Sequence, residues 1–292
     1  MTAAPDGLRG FAAAASIEVT PKAASELAEL EGLLPPATNV YVTALPGADL
    51  DDLVAAARTV RAAGHEPVPH IPARAIAGRD VLDRLLGALA DEAGVVDVLV
   101  VGGSVKDQAG EYSSSIEILE SGLLERHGII RAGVAGHPEG TPDIPPDAVR
   151  ASLAEKNAFA AGSPIDLRLV SQFALAAEPY VVWERAIRAE GNRLPVFAGI
   201  PGVTSPATLL KYGLACGIGP SLEILRKQTG GLLKLATTRH WRPDEVARGI
   251  AEAVAADPDS LIRGLHVFPF GGLRRSAEWL AEMRADVHAQ PA

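Results

Sequence analysis

Short apolar runs with the character of β-strands alternate with longer amphipathic runs along almost the whole chain. The strand-like runs lie at residues 15–19, 39–43, 66–70, 95–101, 129–135, 166–171, 194–198 and 262–267. The intervening runs repeat apolar residues at helical spacing, as Leu50, Leu53, Ala57 and Val60 do, which is typical of helices packed on a sheet. Eight strand–helix units in 292 residues predict an α/β protein built as a (β/α)8 TIM barrel.

The pattern predicts a single barrel domain over residues 1–292. An N-terminal extension occupies residues 1–14, and a long glycine-containing irregular stretch at 217–242 is either a lid or a loop at the opposite end of the barrel. A doubly wound open sheet is the competing architecture, but Glu18-Val-Thr-Pro21 after the first strand has no glycine fingerprint. Asp49, Ser113 and Asp244 are the predicted helix-start residues.

Charge and composition exclude several classes of function. The formal charge of −9 and the isoelectric point near 5.3 argue against a nucleic-acid-binding surface. The single Cys216 excludes an internal disulfide and a cysteine-based metal cluster. No apolar run approaches the ~18 residues of a membrane helix, and the first ten residues lack the order of a signal peptide. We therefore expect no membrane partner and a cytoplasmic location.

The residues at the carboxyl ends of the predicted strands are the candidate site residues, because TIM barrels carry their active sites there. They are Glu18, Thr43, His70, Gly102-Gly-Ser104, His137-Pro-Glu139, Gln172, Gly199-Ile-Pro201 and Phe268. The set contains no paired carboxylates and no lysine at a strand end, which disfavours an aldolase-type barrel. The spacing of His70, His137 and Glu139 is not diagnostic of a metal site, so no metal is predicted.

Glu18 stands out because it lies inside an apolar run. A buried carboxylate is costly unless it is paired, neutralised or functional. Burial away from cations would raise the pKa of Glu18 toward the range of a general acid, whereas an edge-strand glutamate would face water. Gln172 offers a donor and an acceptor to a flat heterocycle, and its alternative role is that of a satisfied buried amide.

A series of short motifs resembles the methylenetetrahydrofolate reductase family, in order from residue 16 to about 270. Ser16-Ile-Glu-Val-Thr-Pro21 is similar to the family's Ser-Phe-Glu-Phe-Phe-Pro, and Val134-Ala-Gly-His-Pro-Glu-Gly140 closely resembles Ala-Gly-Tyr-Pro-Glu-Gly. Shorter matches are Val42-Thr43, Pro69-His70, Glu155-Lys156, Ser171-Gln-Phe173, Phe197-Ala-Gly-Ile200 and Gly264-Leu-His-Val-Phe268. The resemblance implies a TIM barrel that reduces 5,10-methylenetetrahydrofolate to 5-methyltetrahydrofolate.

The resemblance also implies roles for individual residues. Glu18 takes the place of the family's general acid, which helps open the imidazolidine ring to a 5-iminium cation. Gln172 takes the place of the amide that contacts the pterin, Phe268 that of an aromatic residue near the folate, and Thr43 and Ser104 belong to the same substrate side. His70, Gly102, His137 and Lys156 take the places of cofactor-binding residues.

Departures from the family's motifs concentrate where its members contact flavin. Val101-Gly-Gly-Ser104 replaces Leu-Arg-Gly-Asp, His137 replaces a tyrosine, and Pro269-Phe-Gly-Gly272 replaces Thr-Leu-Asn-Arg. This distribution is similar to that of the family's divergent flavin-independent actinobacterial branch, and it implies direct hydride transfer from NADH, with NADPH not excluded and FAD absent. The alternatives are an FAD-dependent reductase and a non-catalytic folate-binding subunit. A homo-oligomer is possible.

Overall fold

The chain closes into a parallel barrel of eight strands in sequence order, β1 to β8, with β8 returning to β1. The computed structural model describes residues 7–285 except 46, 48, 104–106, 143 and 216–239. The strands are β1 (Ser16–Val19), β2 (Asn39–Val42), β3 (Glu66–Pro72), β4 (Asp97–Val101), β5 (Arg131–Gly136), β6 (Asp166–Ser171), β7 (Val196–Pro201) and β8 (Ile262–Phe268). The predicted TIM barrel is confirmed, and every predicted strand is present with boundaries shifted by at most three residues.

Helices follow the strands and cover the outside of the barrel. In the described part of the chain they are α1 (Gly7–Ala13), α2 (Leu50–Ala62), α3 (Arg79–Ala93), α4 (Ser115–Leu119), α5 (Leu123–Arg126), α6 (Pro146–Gly162), α7 (Glu178–Ala189), α8 (Pro206–Ala215), α9 (Asp244–Ala256) and α10 (Leu273–Ala285). A 3-10 helix, Pro21–Leu30, joins β1 to β2, and a short one, Ala73–Ala75, follows β3. None of the described helices has the length and apolarity needed to cross a membrane.

The helix ends show why these segments start where they do. The side chain of Asp49 caps α2 by accepting a hydrogen bond of 3.0 Å from the amide of Asp51. The predicted helix start at Ser113 is one residue early, because Ser114 is the N-cap of α4 and forms a capping box with Glu117. Asp244 is the first residue of α9, as predicted. Most of the predicted insertion at 217–242 lies outside the described residues, and its role stays a prediction.

Two layers of apolar packing hold the fold together. The large outer layer lies between strands and helices, and the apolar stripe of α2, with Leu53, Ala57 and Val60, is buried there as predicted. A smaller cluster fills the barrel interior and consists of Tyr41, Val68, Leu99 and Val170, with Val101 and Phe197 packed against it. Side chains two residues apart on a strand point to the same face. His70, two residues after the interior residue Val68 on β3, therefore also points into the barrel, nearer its mouth.

Candidate active site at the barrel mouth

Strand register brings the key side chains of β1, β2 and β8 together. Glu18 pairs with Tyr41 across β1 and β2, and Ser16 pairs with His266 across β1 and β8. His70 lies near the carboxyl end of β3, which is the neighbour of β2. All of these residues therefore face one region at the carboxyl end of the barrel.

The Glu18 carboxylate lies between two histidine rings. Its Oε2 atom is 3.3 Å from Nε2 of His70 and 3.6 Å from Nε2 of His266. The Glu18 side chain is 16% exposed, and that of His266 is 0% exposed. Within the described structure neither Nε2 atom makes an aligned hydrogen bond, although both are buried. The contacts are therefore close approaches without hydrogen-bond alignment, and they become ion pairs when a histidine is protonated.

These contacts reverse the pKa shift expected for Glu18 from the sequence. Burial by itself raises the pKa of Glu18, but the interactions with His266 and His70 outweigh it and lower that pKa to about 2. The expectation of a raised pKa assumed a carboxylate buried away from cations, and it is wrong for this structure. Glu18 is therefore ionised at neutral pH, and any proton that it delivers has to reach it from a neighbour.

Ser16 contacts the ring nitrogen of His266 that faces away from Glu18. Its Oγ atom is 2.9 Å from Nδ1 of His266 and donates to the carbonyl of Leu265 at 3.4 Å. A serine hydroxyl is both donor and acceptor, so it can accept from an Nδ1–H or donate to an unprotonated Nδ1. When Nδ1 carries a proton, a second proton can sit on either Nε2 of His266 or Oε2 of Glu18. The Ser16–His266–Glu18 chain can therefore hold and move one proton.

His266 was not among the residues predicted for the site. Burial lowers the pKa of His266, more than the contact with Glu18 raises it, so the neutral imidazole is the favoured resting form. The signal was available in the sequence, since His266 and Phe268 are two residues apart on β8 and must share a face.

The candidate substrate side consists of Gln172 and an aromatic cluster. The amide of Gln172 donates to the carbonyl of Gly136 at 2.8 Å, whereas its half-buried carboxamide makes no hydrogen bond to any described residue. The ring of Phe268 lies edge-on to His266 with centroids 4.6 Å apart, and Phe173 lies 6.2 Å from Phe268. Phe270 stacks beyond Phe268 and has a left-handed backbone, with φ of 47°. A flat polar ring could contact both the free amide and an aromatic face here.

Thr43 lies beside this centre and lines a separate cleft. Its hydroxyl donates to the carbonyl of Val19 at 3.3 Å, next to Glu18. A cleft of about 260 Å³ between the ends of β2 and β3 is lined by Thr43 together with Leu45, Leu53, Pro72 and Arg74. Its lining does not include Glu18 or Gln172, so the cleft extends the mouth sideways and does not cover the carboxylate.

The candidate cofactor residues are spread around the mouth, because His70 contacts Glu18, whereas Gly102 follows β4 and His137 follows β5. The carbonyl of Gly102 accepts from the amide of Arg74 at 3.0 Å, and Ser104 lies outside the described residues. Burial and the charge of Lys156 lower the pKa of His137 to about 4.

Lys156 is a nearly buried cation on α6, the helix that follows β5. Its side chain belongs to a residue that is 8% exposed, and it makes no ion pair or hydrogen bond with the described residues. Burial lowers the pKa of Lys156 more than the charge of the neighbouring Glu155 raises it. A nearly buried cation without a carboxylate in contact favours an anionic ligand.

The described residues contain no group of three His, Cys, Asp or Glu side chains that could hold a metal ion. His70 contacts Glu18, and the charge of Lys156 lowers the pKa of His137. Among the described residues, His70, His137 and Glu139 therefore do not come together as a metal-binding group.

Comparison with known proteins identifies no family for this chain. No protein-family model matches the chain. Dihydropteroate synthase from Thermus thermophilus has 17% identity and a TM-score of 0.44, with 92% of each chain covered. A xylose isomerase domain containing protein from Salmonella typhimurium has 14% identity and a TM-score of 0.43, with 93% of this chain and 94% of that chain covered.

A third similar structure is the MalC reductase/Diels-Alderase from Malbranchea aurantiaca. It has 13% identity and a TM-score of 0.31, with 94% of this chain and 98% of that chain covered. At such sequence identities and TM-scores, the activities of these proteins say nothing about the chemistry of this chain.

The effect of the Lys156 charge on His137 can be tested by titration. Lys156→Met removes the charge that opposes protonation of His137, so the His137 midpoint should rise from about 4. Burial is the larger cause of the shift and remains in the variant, so the midpoint should stay below the ordinary value of 6.5. Histidine NMR, with His137 assigned by His137→Asn, measures the midpoint. Lys156→Arg keeps the charge and should leave the midpoint in place, and an unchanged midpoint in Lys156→Met would refute the effect of the Lys156 charge on His137.

Proposed function

We propose that this protein is a methylenetetrahydrofolate reductase that transfers hydride directly from NADH to the folate, without flavin. The observation that carries the proposal is the Glu18 carboxylate at the barrel mouth, close to two histidines, one of which contacts the ring of Phe268. The ordered motifs that resemble the reductase family supply the choice of substrate. The reaction consumes 5,10-methylenetetrahydrofolate, NADH and a proton, and it yields 5-methyltetrahydrofolate and NAD⁺.

The chemistry requires a proton before it can use a hydride. Protonation of N10 lets the bond between N10 and the methylene carbon break, and N5 then carries that carbon as an iminium cation. Hydride addition to the iminium carbon completes the methyl group. A proton donor aimed at N10 therefore comes first, and general-acid catalysis of such a step contributes typically 10²–10⁴-fold. NADH supplies the hydride when it is bound.

Glu18 fits the acid role through its connection to His266. His266, which is neutral at rest, takes up a solvent proton at Nε2 and passes it to the ionised carboxylate, while Nδ1–H remains held by Ser16. A bound substrate that displaces water from the mouth raises the proton affinity of the carboxyl group, because desolvation disfavours the charged form. Glu18 then passes the proton to N10. After the ring opens, the carboxylate again carries negative charge and stabilises the adjacent iminium cation.

Gln172 and Phe268 fit the folate side of the site. The carboxamide of Gln172 can donate to and accept from the amide-like edge of a pterin at the same time. The ring of Phe268, edge-on to His266, offers an apolar face close to the acid. Thr43 and Ser104 belong to the same proposed substrate side.

The cofactor side supports a dinucleotide better than a flavin held in the family's manner. The positions at Gly102, Ser104, His137 and Gly272 lack the charged or aromatic groups that flavin-binding members carry there. Lys156, nearly buried and without a carboxylate in contact among the described residues, suits the pyrophosphate of NADH. His70 and Gly102 complete the proposed cofactor set.

Two alternatives make different use of the same geometry. An FAD-dependent reductase would keep Glu18 and Gln172 and would take its hydride from a flavin. A non-catalytic folate-binding subunit would have no need of a carboxylate and two histidines in contact, which are costly to bury. The arrangement of Glu18, His70 and His266 therefore favours an enzyme over a binding subunit.

Glu18→Gln is expected to lower kcat by at least ~10², the scale of general-acid catalysis, while folate binding survives. Asp83→Asn is the matched control, since Asp83 also contacts a histidine, with Oδ1 2.6 Å from Nε2 of His127, but lies on the outer helix α3. Steady-state kinetics and folate binding measure the two effects. Near-normal turnover in Glu18→Gln would remove Glu18 from the mechanism.

Gln172→Leu is expected to weaken folate affinity by roughly tenfold or more, because one lost buried contact costs about 1–3 kcal/mol. NADH affinity should stay nearly unchanged. Gln172→Glu keeps an acceptor and loses the donor, so its folate affinity should lie between those of the wild-type protein and Gln172→Leu. Calorimetric titration with each ligand gives the comparison, and equal weakening of both ligands would indicate a structural role for Gln172.

The flavin-free reaction is tested with purified protein, NADH and methylenetetrahydrofolate and with no flavin added. NADH oxidation followed by absorbance should proceed at a rate proportional to protein, and added FAD should not increase it. NADPH in place of NADH defines the preference for the hydride donor. A yellow protein, or activity that appears only with FAD, would instead support the FAD-dependent alternative.

A further inference from the structure

The floor beneath the Glu18 site is formed by Tyr41, an aromatic residue that lies outside the motifs resembling the reductase family. Tyr41 is 1% exposed and pairs with Glu18 in the register of β1 and β2. Its ring centroid is 4.4 Å from that of His266 at an interplanar angle of 58°, and 6.2 Å from that of His70 at 80°. One ring therefore touches both histidines that hold the carboxylate.

A buried arginine fixes Tyr41 from the side away from Glu18. The guanidinium of Arg168 donates two hydrogen bonds to the phenol oxygen, of 3.1 Å from Nε and 2.6 Å from Nη2. Nη2 of Arg168 is also 2.9 Å from Oδ1 of Asp97, and Oδ2 of Asp97 is 3.1 Å from Nε of Arg131. Arg168 and Asp97 are 8% and 3% exposed, so this network lies inside the barrel.

This network is an expensive way to fill a barrel interior. The surrounding interior residues Val68, Leu99, Val170 and Phe197 are apolar, and apolar side chains alone would avoid the desolvation of Arg168 and Asp97. Replacing a buried ion pair by well-packed apolar residues is often neutral or stabilising. The presence of the ion pair is therefore better explained by what it holds in place than by stability.

We propose that Tyr41 is a positioning residue for proton transfer: Arg168 fixes its ring, and the ring holds His266 and His70 against the Glu18 carboxylate. The path is continuous, from Asp97 through Arg168 and Tyr41 to His266. The effect on turnover rests on the proposed reductase function, whereas the effect on His266 does not.

Arg168 also acts on the same histidine through its charge. The groups that bear on His266 are Glu18, His70, Arg168, Tyr41 and the hydroxyl of Ser16. Burial is the main cause that lowers the pKa of His266, Glu18 raises it, and the charges of His70 and Arg168 lower it further. The loss of the Arg168 charge therefore makes His266 easier to protonate.

Tyr41→Phe separates the anchor from the ring, since it keeps the ring and removes the two hydrogen bonds from Arg168. We expect kcat to fall about tenfold with the KM for folate within about twofold, because small displacements of a reacting group cost up to ~10² in rate. Tyr41→Leu removes the ring as well and should cost more. In ¹⁵N-histidine NMR, with His266 assigned by His266→Gln, the nitrogen shifts of His266 should change in both variants.

Two substitutions at Arg168 separate position from charge. Arg168→Lys keeps the charge and loses the two-pronged contact, so kcat should fall while the His266 midpoint stays near its wild-type pH. Arg168→Gln removes the charge, so the His266 midpoint should rise. If either variant fails to fold, the Tyr41→Phe measurements decide the proposal.

Leu86→Ala is the control for stability, since Leu86 is fully buried on the outer helix α3. It should lower the melting temperature and leave both kcat and the His266 spectrum unchanged. Unchanged His266 shifts in Tyr41→Phe, or a loss of melting temperature without a change in kcat, would overturn the proposal. If the wild-type protein has no reductase activity, the proposed function fails and the NMR measurements still decide the role of Tyr41.

Discussion

The pairing of β1 with β8 is the contact on which both the barrel and its candidate site depend. It joins Ser16 to His266 and Ile17 to Val267, residues about 250 positions apart in the chain. Contacts of such sequence separation form only after a large loss of chain entropy. The same pairing places Oγ of Ser16 on Nδ1 of His266 and brings Glu18 next to Nε2. The proton-holding chain therefore exists only in the closed barrel.

The barrel interior carries charge, and the structure limits the cost by arranging that charge in contacts. Asp97 lies between two arginines, Arg168 is shared between Asp97 and Tyr41, and Glu18 lies between two histidines. Formally the carboxylates of Asp97 and Glu18 balance the guanidinium groups of Arg131 and Arg168. His266 is then most stable as a neutral ring. A resting site with a neutral imidazole beside a carboxylate can take up one proton, and the added positive charge then lies next to the carboxylate of Glu18.

The sequence predicted the backbone of this protein far better than the chemistry of its site. The strands were predictable because β-branched runs and helical stripes are local signals, and eight such units leave few alternatives to a closed barrel. Glu18 was recognisable because a carboxylate in a strand is anomalous. The low pKa of Glu18 could not be predicted, because it is caused by His266 on β8 and His70 on β3. Strand register decides which residues that are so distant in the sequence become neighbours. Tyr41 and Arg168 were missed for the same reason, since their contact joins β2 to β6.

The two sides of the barrel mouth differ in how their charges are compensated, and this difference bears on the proposed reaction. In a closed barrel of eight strands in sequence order, β1 lies opposite β5. Glu18 of β1 is compensated by His70 and His266. Lys156, which follows β5 and acts on His137, has no carboxylate within ion-pair distance in the described structure.

A flat substrate lying across the mouth would meet Glu18 and His266 at one edge and, on the side of β5, the cation of Lys156, which has no carboxylate partner among the described residues. The proposed reaction delivers a proton and a hydride to neighbouring atoms of one molecule, and the two must not neutralise each other. In the proposed reaction the proton arrives from the side of β1 and the hydride donor from the side of β5. The two stay apart because the anionic dinucleotide is attracted toward Lys156 and away from Glu18.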